Sequence, residues 1–347
     1  MNNLIEGLAQ IQNLAAAFER VQLNAGCRGS DGVSVPLFAA NLQANLRDLS
    51  NSLVKQDYHP YPLLRFPIPK RVTVGRVDGS TVGPLDRSTV KPSNRQTVQQ
   101  PNRQTVQPSQ RFLSVPTVRD RVAQTAAFLV TREIFEAEFE DVSHAYRQGR
   151  GVKTAVWDIK EWRDKGYRYA VDADITAYFD NVPHDILLGK LQKLIPDPAM
   201  LRLFEKWIRA EIYDGEKIWT LTEGIPQGSV VSPVLANLLL DELDETLVGF
   251  GMKLVRYADD FLILTKTEQA AQDAIELTDM MLEDLQLDLN PLKTKIVHFD
   301  KGFKFLGAIF LRDGIFLPFP QKRDKEHPPP KLPPPLTLRK YLELKNR

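Results

Sequence analysis

VRYADDFLIL, residues 255–264, places two adjacent carboxylates, Asp259 and Asp260, inside a run that otherwise has the apolar pattern of a buried β-hairpin. Mutual repulsion and loss of hydration make such a pair costly unless a positive charge lies against it. Hard divalent cations bind oxygen ligands, so the pair indicates a metal site. A polar turn between two strands, where aspartate is common, would give the same two letters.

Size and composition are those of an ordinary globular protein, with 347 residues, 43% hydrophobic and 26% charged. The longest nearly apolar run, VVSPVLANLLL (230–240), is far shorter than the ~20 residues that span a bilayer. The N-terminus lacks the apolar core of a signal peptide. A cytoplasmic protein without membrane contact is therefore expected. The single cysteine, Cys27, cannot form an internal disulfide.

Charge is segregated along the chain. Residues 60–125 hold 11 Lys/Arg and 3 Asp/Glu, and residues 293–347 hold 13 and 5, so each segment has a net charge of +8. Residues 126–292 hold 17 and 31, a net charge of −14. Two basic segments around an acidic one suit a polyanion's phosphates, with metal ions concentrated at the acidic part. Clusters of solvated surface charge would give the same pattern.

Apolar spacing and turn residues predict alternating helices and strands. Helices are expected at 1–23, 38–56, 119–140, 151–165, 184–195, 198–212, 232–248 and 267–286. Strands are expected at 167–175, 217–221, 252–264, 295–299 and 303–317, with extended chain at 58–70. This order favours an α+β fold of the split βαβ kind, with helices on one face of the sheet.

An eight-residue repeat interrupts this pattern between Lys70 and Gln110: KRVTVGRV, DGSTVGPL, DRSTVKPS, NRQTVQQP and NRQTVQPS. Every unit has Thr-Val at its fourth and fifth positions and almost no large apolar residue. Stacked units would bury little, so the repeat is predicted to be a low-complexity surface insertion at about 71–110 rather than a solenoid.

A second acidic cluster, YAVDADITAYFDNVPHD (169–185), surrounds the end of a predicted strand. Asp174 lies where the apolar strand ends, so its carboxylate can reach a neighbouring turn such as that of Asp259 and Asp260. Together the three acids could hold two Mg²⁺ ions about 3.5 to 4 Å apart, the geometry of in-line phosphoryl transfer. Taken alone, Asp174 would also be explained as a helix cap or strand-end acid.

In sequence order, the chain resembles bacterial reverse transcriptases of the group II intron-like lineage over about residues 1–310. The matching blocks are GSDGV (29–33), FPIPK (66–70), RFLSVPTVRDRVAQ (111–124), IFEAEFEDVSHAYRQGRG (134–151), DADITAYFDNVPHDIL (172–187), GIPQGSVVSPVLANLLLDELD (224–244), VRYADDFLIL (255–264), LDLNPLKTKIV (287–297) and FKFLG (303–307). The resemblance implies a right-hand polymerase with fingers at 1–166, a palm at 167–317 and a proline-rich basic tail at 318–347. The thumb is expected to be truncated or absent.

The resemblance also implies a catalytic centre. Asp174, Asp259 and Asp260 would be the metal ligands, with the backbone carbonyl of Ile175 as an additional one. Two Mg²⁺ ions are expected, with Mn²⁺ as a substitute. Lys293 would protonate the pyrophosphate leaving group, although a surface contact with a phosphate explains it equally well. The expected substrates are an RNA template, a DNA or RNA primer and dNTPs.

Nucleotide contacts follow from the same resemblance. Phe179 would stack under the incoming sugar and exclude a ribose 2′-OH, unless it is a core aromatic of the palm. Gln227 would contact the incoming nucleotide or template. Lys70 and Arg111 would grip the triphosphate, although the octad insertion separates them here. An exposed loop can absorb such an insertion at modest entropic cost.

Nucleic-acid contacts are expected at five further positions. Gly228 would let the backbone approach the nucleic acid closely. Leu306 and Gly307 would form the turn that positions the primer's 3′ end. Arg147 and Arg150 would meet template phosphates, unless they belong to a solvated basic loop.

The C-terminal stretches LRDGIFLPF and PPPLTLRKYLELK resemble reverse transcriptases associated with CRISPR systems. That resemblance implies copying RNA for spacer acquisition, with the adaptation integrase as partner. Retron, diversity-generating, phage-defence and truncated group II intron reverse transcriptases remain alternatives. An RNA-binding maturase or scaffold without polymerase activity is a further alternative, against which the intact Asp174, Asp259, Asp260 and Gln227 argue. A two-metal nuclease is another, but it would not require the fingers blocks or Phe179.

Overall fold

The computed structural model describes residues 3–69, 110–317 and 332–346. Its N-terminal part is a helical layer around one long helix, α5. The elements of this layer are α1 (Leu4–Ala9), α2 (Ile11–Leu23), α3 (Val35–Ala40), α4 (Leu42–Val54) and α5 (Val118–Glu138). Leu8, Leu14 and Leu49 are fully buried on the faces that these helices turn toward one another. The predicted helix over 1–23 is two helices, because the backbone leaves helical geometry at Gln10.

A four-stranded sheet lies beside this layer in the order β2-β1-β4-β5. Its strands are β1 (Leu63–Pro69), β2 (Gln110–Val115), β4 (Glu211–Tyr213) and β5 (Ile218–Thr220). β1 and β2 are antiparallel and pair Pro69 with Gln110, so both ends of the octad insertion meet at one point of the sheet. The rest of that insertion lies outside the described residues.

β4 corrects two expectations. The helix predicted over 198–212 ends at Ile208, because residues 211–213 pair with β1 as a parallel strand. The sheet therefore combines strands from both sides of the predicted boundary at 166/167. That boundary therefore does not assign this sheet to one side of the chain.

The second large sheet carries the acidic clusters. Its order is β6-β7-β3-β8, all antiparallel, from β3 (Tyr169–Asp174), β6 (Lys253–Tyr257), β7 (Asp260–Thr265) and β8 (Lys295–His298). The remaining elements are α6 (Val152–Asp164), α7 (His184–Leu194), α8 (Pro198–Ile208), α9 (Ser232–Gly249), α10 (Glu268–Asp284), β9 (Phe303–Phe305), β10 (Ala308–Leu311), β11 (Gly314–Phe316) and α11 (Leu338–Lys345).

The α+β class predicted from the sequence is confirmed, but both faces of this sheet are covered. α9 and α10 pack on the face of Val171 and Ile263. α6 and the small β9–β11 sheet pack on the face of Ala170 and Leu262. The reason is visible in β7, where every residue after Asp260 is buried, so neither face can be left to solvent.

The described part of the C-terminal tail folds back onto the molecule. Arg28 Nη2 donates to the Pro333 carbonyl at 2.6 Å, and the Leu336 amide donates to the Ser30 carbonyl at 2.6 Å. In α11 the Tyr341 hydroxyl lies 3.1 Å from the Glu211 carboxylate. Residues 332–346 therefore lie along the surface formed by residues 28–30 and β4. None of the helices within residues 3–69, 110–317 and 332–346 is long and apolar enough to cross a membrane.

α9 holds a buried acid whose ionisation opposes folding. Burial, and then the nearby Asp244, raise the pKa of Asp241 to about 7. A carboxyl whose pKa is higher in the folded state stabilises the fold fully below its unfolded pKa of about 4, and that contribution is lost as the pH rises toward 7.

We therefore expect Asp241→Asn to raise the free energy of unfolding at pH 8 by roughly 2 to 4 kcal/mol. The asparagine keeps an oxygen for the Glu140 amide, which donates to Asp241 Oδ1 at 3.3 Å. Urea unfolding at pH 4.5 and pH 8 measures this, and the variant should show the flatter dependence on pH. Equal gains at both pH values would contradict the assignment.

Candidate active site

Three aspartates meet at one end of the four-stranded sheet that contains β3. β3 ends at Asp174 and β7 begins at Asp260, and the antiparallel register pairs these two residues directly. Paired residues of an antiparallel ladder have their Cα atoms about 5 Å apart. Asp259 precedes Asp260 in the turn that joins β6 to β7. The sheet thus brings together residues that are 85 positions apart in the chain.

The turn between β6 and β7 is tight. Tyr257 pairs with Asp260, which leaves only Ala258 and Asp259 to reverse the chain. Ala258 has φ +59°, in the left-handed region that a residue with a Cβ adopts only when its surroundings impose it. The turn predicted for this stretch is therefore present, and it presents both carboxylates at the edge of the sheet.

The electrostatics of these acids favour a cation. Burial, followed by Asp259, Asp174 and Asp172, raises the pKa of Asp260 to about 6. Burial, and then the Asp174 charge, also raise the pKa of Asp259. Ionised together, the carboxylates repel one another, and a positive ion between them would relieve that repulsion.

A lysine already neutralises part of this charge. Lys293 Nζ lies 3.0 Å and 2.9 Å from the two carboxylate oxygens of Asp174. The loop that carries it is held by the Asn290 amide, which donates to the Asp174 carbonyl at 2.8 Å. Two residues before Asp174 in β3, Asp172 pairs with Lys295 of β8, and Lys295 Nζ lies 3.2 Å from the Asp172 carboxylate.

The chemistry of the three aspartates fits a hard divalent cation, because such ions bind carboxylate oxygens. Ile175 follows Asp174 directly, and its side chain is buried, so its backbone is what it can offer the site. Across the described residues, however, no group of three or more Asp, Glu, His or Cys side chains is arranged to hold a metal ion. The ammonium group of Lys293 occupies the oxygens of Asp174 instead.

Two adjacent aromatic residues, Tyr178 and Phe179, differ in their burial. Tyr178 is buried, and its hydroxyl donates to the Ala236 carbonyl at 2.6 Å, so it belongs to the core. Phe179 is half-buried and lines a cavity of about 290 Å³ together with Gln227. Of the two rings, Phe179 is the one available to a ligand. The same cavity is lined by Arg65, which stacks over Phe112 at 4.6 Å, a pair that the sequence analysis missed.

The loop that carries Gln227 is tied to β2. The Gln227 carbonyl accepts a hydrogen bond from the Ser114 amide at 2.7 Å. Gly228 has φ +110°, and a Cβ there would lie 2.9 Å from the Ser114 carbonyl oxygen. Only glycine allows this close approach of the two backbones. The structure therefore explains Gly228 through contact with β2, whereas its contact with nucleic acid stays a prediction.

Arg111 is exposed on β2 opposite Ile68 of β1. Lys70 lies outside the described residues, one position beyond the paired Pro69. The convergence of these two basic residues on a triphosphate stays a prediction.

Comparison with known proteins decides the family. The model of the family described as "Reverse transcriptase (RNA-dependent DNA polymerase)" matches residues 99–310, well over half of the chain. This chain belongs to the reverse transcriptase family. The resemblance drawn from its sequence blocks is thereby confirmed, and the chain is an enzyme of the RNA-directed DNA polymerase class.

Curated relatives of this reverse transcriptase differ in how much of their length it spans. It is 29% identical over 323 residues to Protein YkfC of Escherichia coli (strain K12), covering 82% of this chain and 76% of that protein. It is 37% identical over 146 residues to Group II intron-encoded protein LtrA of Lactococcus lactis subsp. cremoris, covering 42% of this chain and 24% of LtrA.

Among solved structures, a chain of the assembly described as "Partial Cas6-RT-Cas1--Cas2 complex" aligns with 83% of this chain and 44% of its own length. The identity is 21% and the TM-score is 0.44.

Arg147 of this reverse transcriptase corrects a sequence expectation. Its side chain is buried and donates to Glu136 Oε1 at 2.9 and 2.7 Å and to the Ser143 carbonyl at 3.0 Å. These bonds hold the loop from inside, so the guanidinium is not presented to template phosphates. Arg150 is partly exposed and pairs with Asp141. The sequence of a basic loop does not show which of its arginines will form hydrogen bonds or ion pairs with nearby carbonyls and acids.

Leu306 and Gly307 form the predicted turn, between β9 and β10, with φ +48° and +83°. Leu306 packs against the cluster that contains Phe303 and Phe310. The role of this turn toward a primer stays a prediction.

The sequence analysis missed a buried polar network beside the turn of Ala258 and Asp259 in this reverse transcriptase. Arg256 and Asp244 form an ion pair whose two side chains are both fully buried, and Asn237 also bonds to Arg256. A charged residue inside the apolar strand KLVRY and an acid on the apolar helix α9 were the available signals. Neither signal says that the two side chains meet.

Proposed function

We propose that this chain copies RNA into DNA by two-metal phosphoryl transfer, with Asp174, Asp259 and Asp260 as ligands of two Mg²⁺ ions. The observation that carries the proposal is the strand register that pairs Asp174 with Asp260 and leaves Asp259 in the adjoining two-residue turn. Burial, and then the neighbouring carboxylates, raise the pKa of Asp260, and both effects support a cation as the partner of these acids.

Asp174, Asp259, Asp260 and the backbone carbonyl of Ile175 would hold the ions. When bound, divalent cations supply Lewis-acid stabilisation of the charge that develops on the transferring phosphoryl group and its leaving oxygen. Mn²⁺ takes similar oxygen ligands and is expected to substitute. Lys293 Nζ contacts the same two Asp174 oxygens that would ligate a cation, so Lys293 would have to leave Asp174 before this carboxylate could serve as a ligand.

Released in this way, Lys293 would carry the proton that the pyrophosphate leaving group needs. Its side chain is 63% exposed, so it can move away from Asp174 at little cost in packing. Arg111, also exposed, would add positive charge on the fingers side of the triphosphate. The template, primer and dNTPs would meet between these two basic positions and the aspartates.

Phe179 is the residue that we propose to select deoxynucleotides. We expect Phe179→Ala to lower the preference for dNTP over rNTP, measured as the ratio of kcat/KM values, by roughly 10- to 100-fold, because a small side chain leaves room for the 2′-OH. Single-nucleotide extension with dTTP and with UTP on the same template measures the ratio.

Tyr178→Phe is the matched control for that experiment. It removes the hydroxyl that binds the Ala236 carbonyl inside the core and leaves the neighbouring ring in place. Its preference for dNTP over rNTP should stay within about twofold of the parent, even if the substitution lowers its stability. An unchanged preference in Phe179→Ala would remove Phe179 from sugar selection.

Primer extension on poly(rA) with an oligo(dT) primer tests the function itself. We expect synthesis of DNA that requires Mg²⁺ or Mn²⁺ and that is lost on removal of the metal with a chelator. A chain that binds the hybrid but never extends it, with partner proteins supplied, would instead be an RNA-binding scaffold.

We propose further that the DNA product serves CRISPR spacer acquisition, with the adaptation integrase as partner. The support is the resemblance of LRDGIFLPF and PPPLTLRKYLELK to CRISPR-associated reverse transcriptases. In cells that carry an array and its integrase, new spacers from a transcribed reporter should appear with the parent chain and not with Asp259→Asn. Equal spacer counts with both chains would exclude this role while leaving the polymerase assay unaffected.

A further inference from the structure

Arg256 has an unusual environment for an arginine. It lies in β6, three residues before Asp259, and its side chain is completely buried. Its Nε lies 2.7 Å and 2.9 Å from the two carboxylate oxygens of Asp244, and Nη2 pairs with the same group. The remaining nitrogen, Nη1, donates to Asn237 Oδ1 at 2.9 Å and to the Ala258 carbonyl at 3.1 Å.

The bond to Ala258 reaches the catalytic turn itself. Ala258 is the first residue of the two-residue turn, with φ +59°, and its carbonyl carbon is bonded to the Asp259 amide nitrogen. An L-residue with a Cβ is strained in this region, so the surroundings must hold Ala258 there. The Arg256 guanidinium supplies a fixed donor at that point.

The same network reaches the loop on the other side of β6. Asn237 Nδ2 donates to the Ala145 carbonyl at 2.8 Å. The Arg256 amide donates to the Val142 carbonyl at 2.8 Å, and the Arg256 carbonyl accepts from the His144 amide at 2.9 Å. The residue after Ala145, Tyr146, has φ +62° and remains 52% exposed. One buried guanidinium thus connects the catalytic turn with the loop that presents Tyr146.

We propose that Arg256, held by Asp244 and Asn237, is a positioning residue that sets the geometry of the Asp259–Asp260 turn relative to the loop of residues 142–146. The proposal rests on the polymerase function proposed above. A buried ion pair adds little net stability compared with apolar side chains of the same volume, but its directional bonds fix the atoms they reach. Geometry, rather than stability, is what this pair contributes.

The double variant Arg256→Met with Asp244→Leu separates the contribution of this ion pair to geometry from its contribution to stability. It removes both charges together, so no unpaired charge remains buried, and its melting temperature should stay close to that of the parent. We expect kcat for primer extension to fall by roughly 10- to 100-fold, because small displacements of catalytic groups have effects of that size. KM for the primer–template hybrid should change by less than about threefold.

Amide hydrogen exchange provides a readout that does not depend on activity. In the double variant, exchange in peptides covering residues 257–261 should accelerate by about tenfold or more, because the guanidinium that donates to the Ala258 carbonyl is gone. Exchange in residues 142–146 should accelerate less, because Asn237 loses its Arg256 partner while the backbone bonds of residue 256 to Val142 and His144 remain. Exchange within β3, residues 169–174, should be unchanged. Arg256→Lys keeps the charge opposite Asp244 but has no second nitrogen that could reach the Ala258 carbonyl. It should show the same changes in exchange, but smaller ones. If the double variant does not fold, this single variant provides the test.

Arg163→Lys is the matched control. Arg163 is also almost completely buried and ion-paired, to Asp164, but it lies at the end of α6. It should leave kcat and the exchange of both segments unchanged. The proposal is overturned if exchange of the turn does not change in the Arg256 variants, or if a double variant with normal melting also has normal kcat. A parent chain without polymerase activity would instead refute the proposed function, and the exchange data would still be interpretable.

Discussion

Asp259→Asn is expected to reduce DNA synthesis on poly(rA)–oligo(dT) by about 10³-fold or more at saturating Mg²⁺. The substitution keeps the shape of the side chain and removes the negative charge that a divalent cation requires. Metal stabilisation of a phosphoryl-transfer transition state amounts to several kcal/mol, and each 1.4 kcal/mol corresponds to roughly a tenfold change in rate. Initial rates of primer extension measure the loss.

The same variant should not be less stable than the parent in the absence of metal. Burial and the charge of Asp174 raise the pKa of Asp259, which means that its ionised form opposes folding. A thermal melt in chelator therefore distinguishes a lost ligand from a lost fold. Asp185→Asn is the control, since Asp185 belongs to the same acidic stretch of sequence but is 96% exposed beside Arg209. Activity above about a tenth of the parent in Asp259→Asn would exclude Asp259 as an essential ligand.

Asp120→Ala is expected to lower the free energy of unfolding by roughly 3 to 5 kcal/mol, because it leaves several buried donors without an acceptor. Asp120 is 1% exposed at the start of α5. Its carboxylate accepts from the Tyr58 hydroxyl and the Thr117 hydroxyl, both at 2.7 Å, and from the Tyr61 amide at 3.0 Å. Urea unfolding, with the slope compared between variants, measures the change.

Asp48→Ala is the control for this substitution. Asp48 is also a helical acid, but it is exposed on α4, and its replacement should change stability by no more than about 0.5 kcal/mol. A loss below about 1 kcal/mol in Asp120→Ala would mean that water or a rearranged partner satisfies the freed donors.

Sequence alone determined the elements and the acids of the centre. Apolar residues at periods of 3.6 and 2 marked α5, α9, β3 and the β6–β7 hairpin to within a few residues, because side-chain periodicity is a local property. It also predicted that Asp174 could reach the turn of Asp259 and Asp260, and the resemblance to reverse transcriptases implied that all three are metal ligands. The register that pairs Asp174 with Asp260 agrees with that expectation.

Tertiary structure decided which polar side chains face inward. Arg147 and Arg150 share one basic loop, yet Arg147 is buried on Glu136 while Arg150 is partly exposed beside Asp141. Arg256 and Asp244 meet in the protein interior, and residues 211–213 leave a predicted helix to pair with β1. The spacing of residues along the chain shows which face of its helix or strand each residue occupies. It does not record what lies against that face, and the free energy of a buried charge or a short strand depends on that partner.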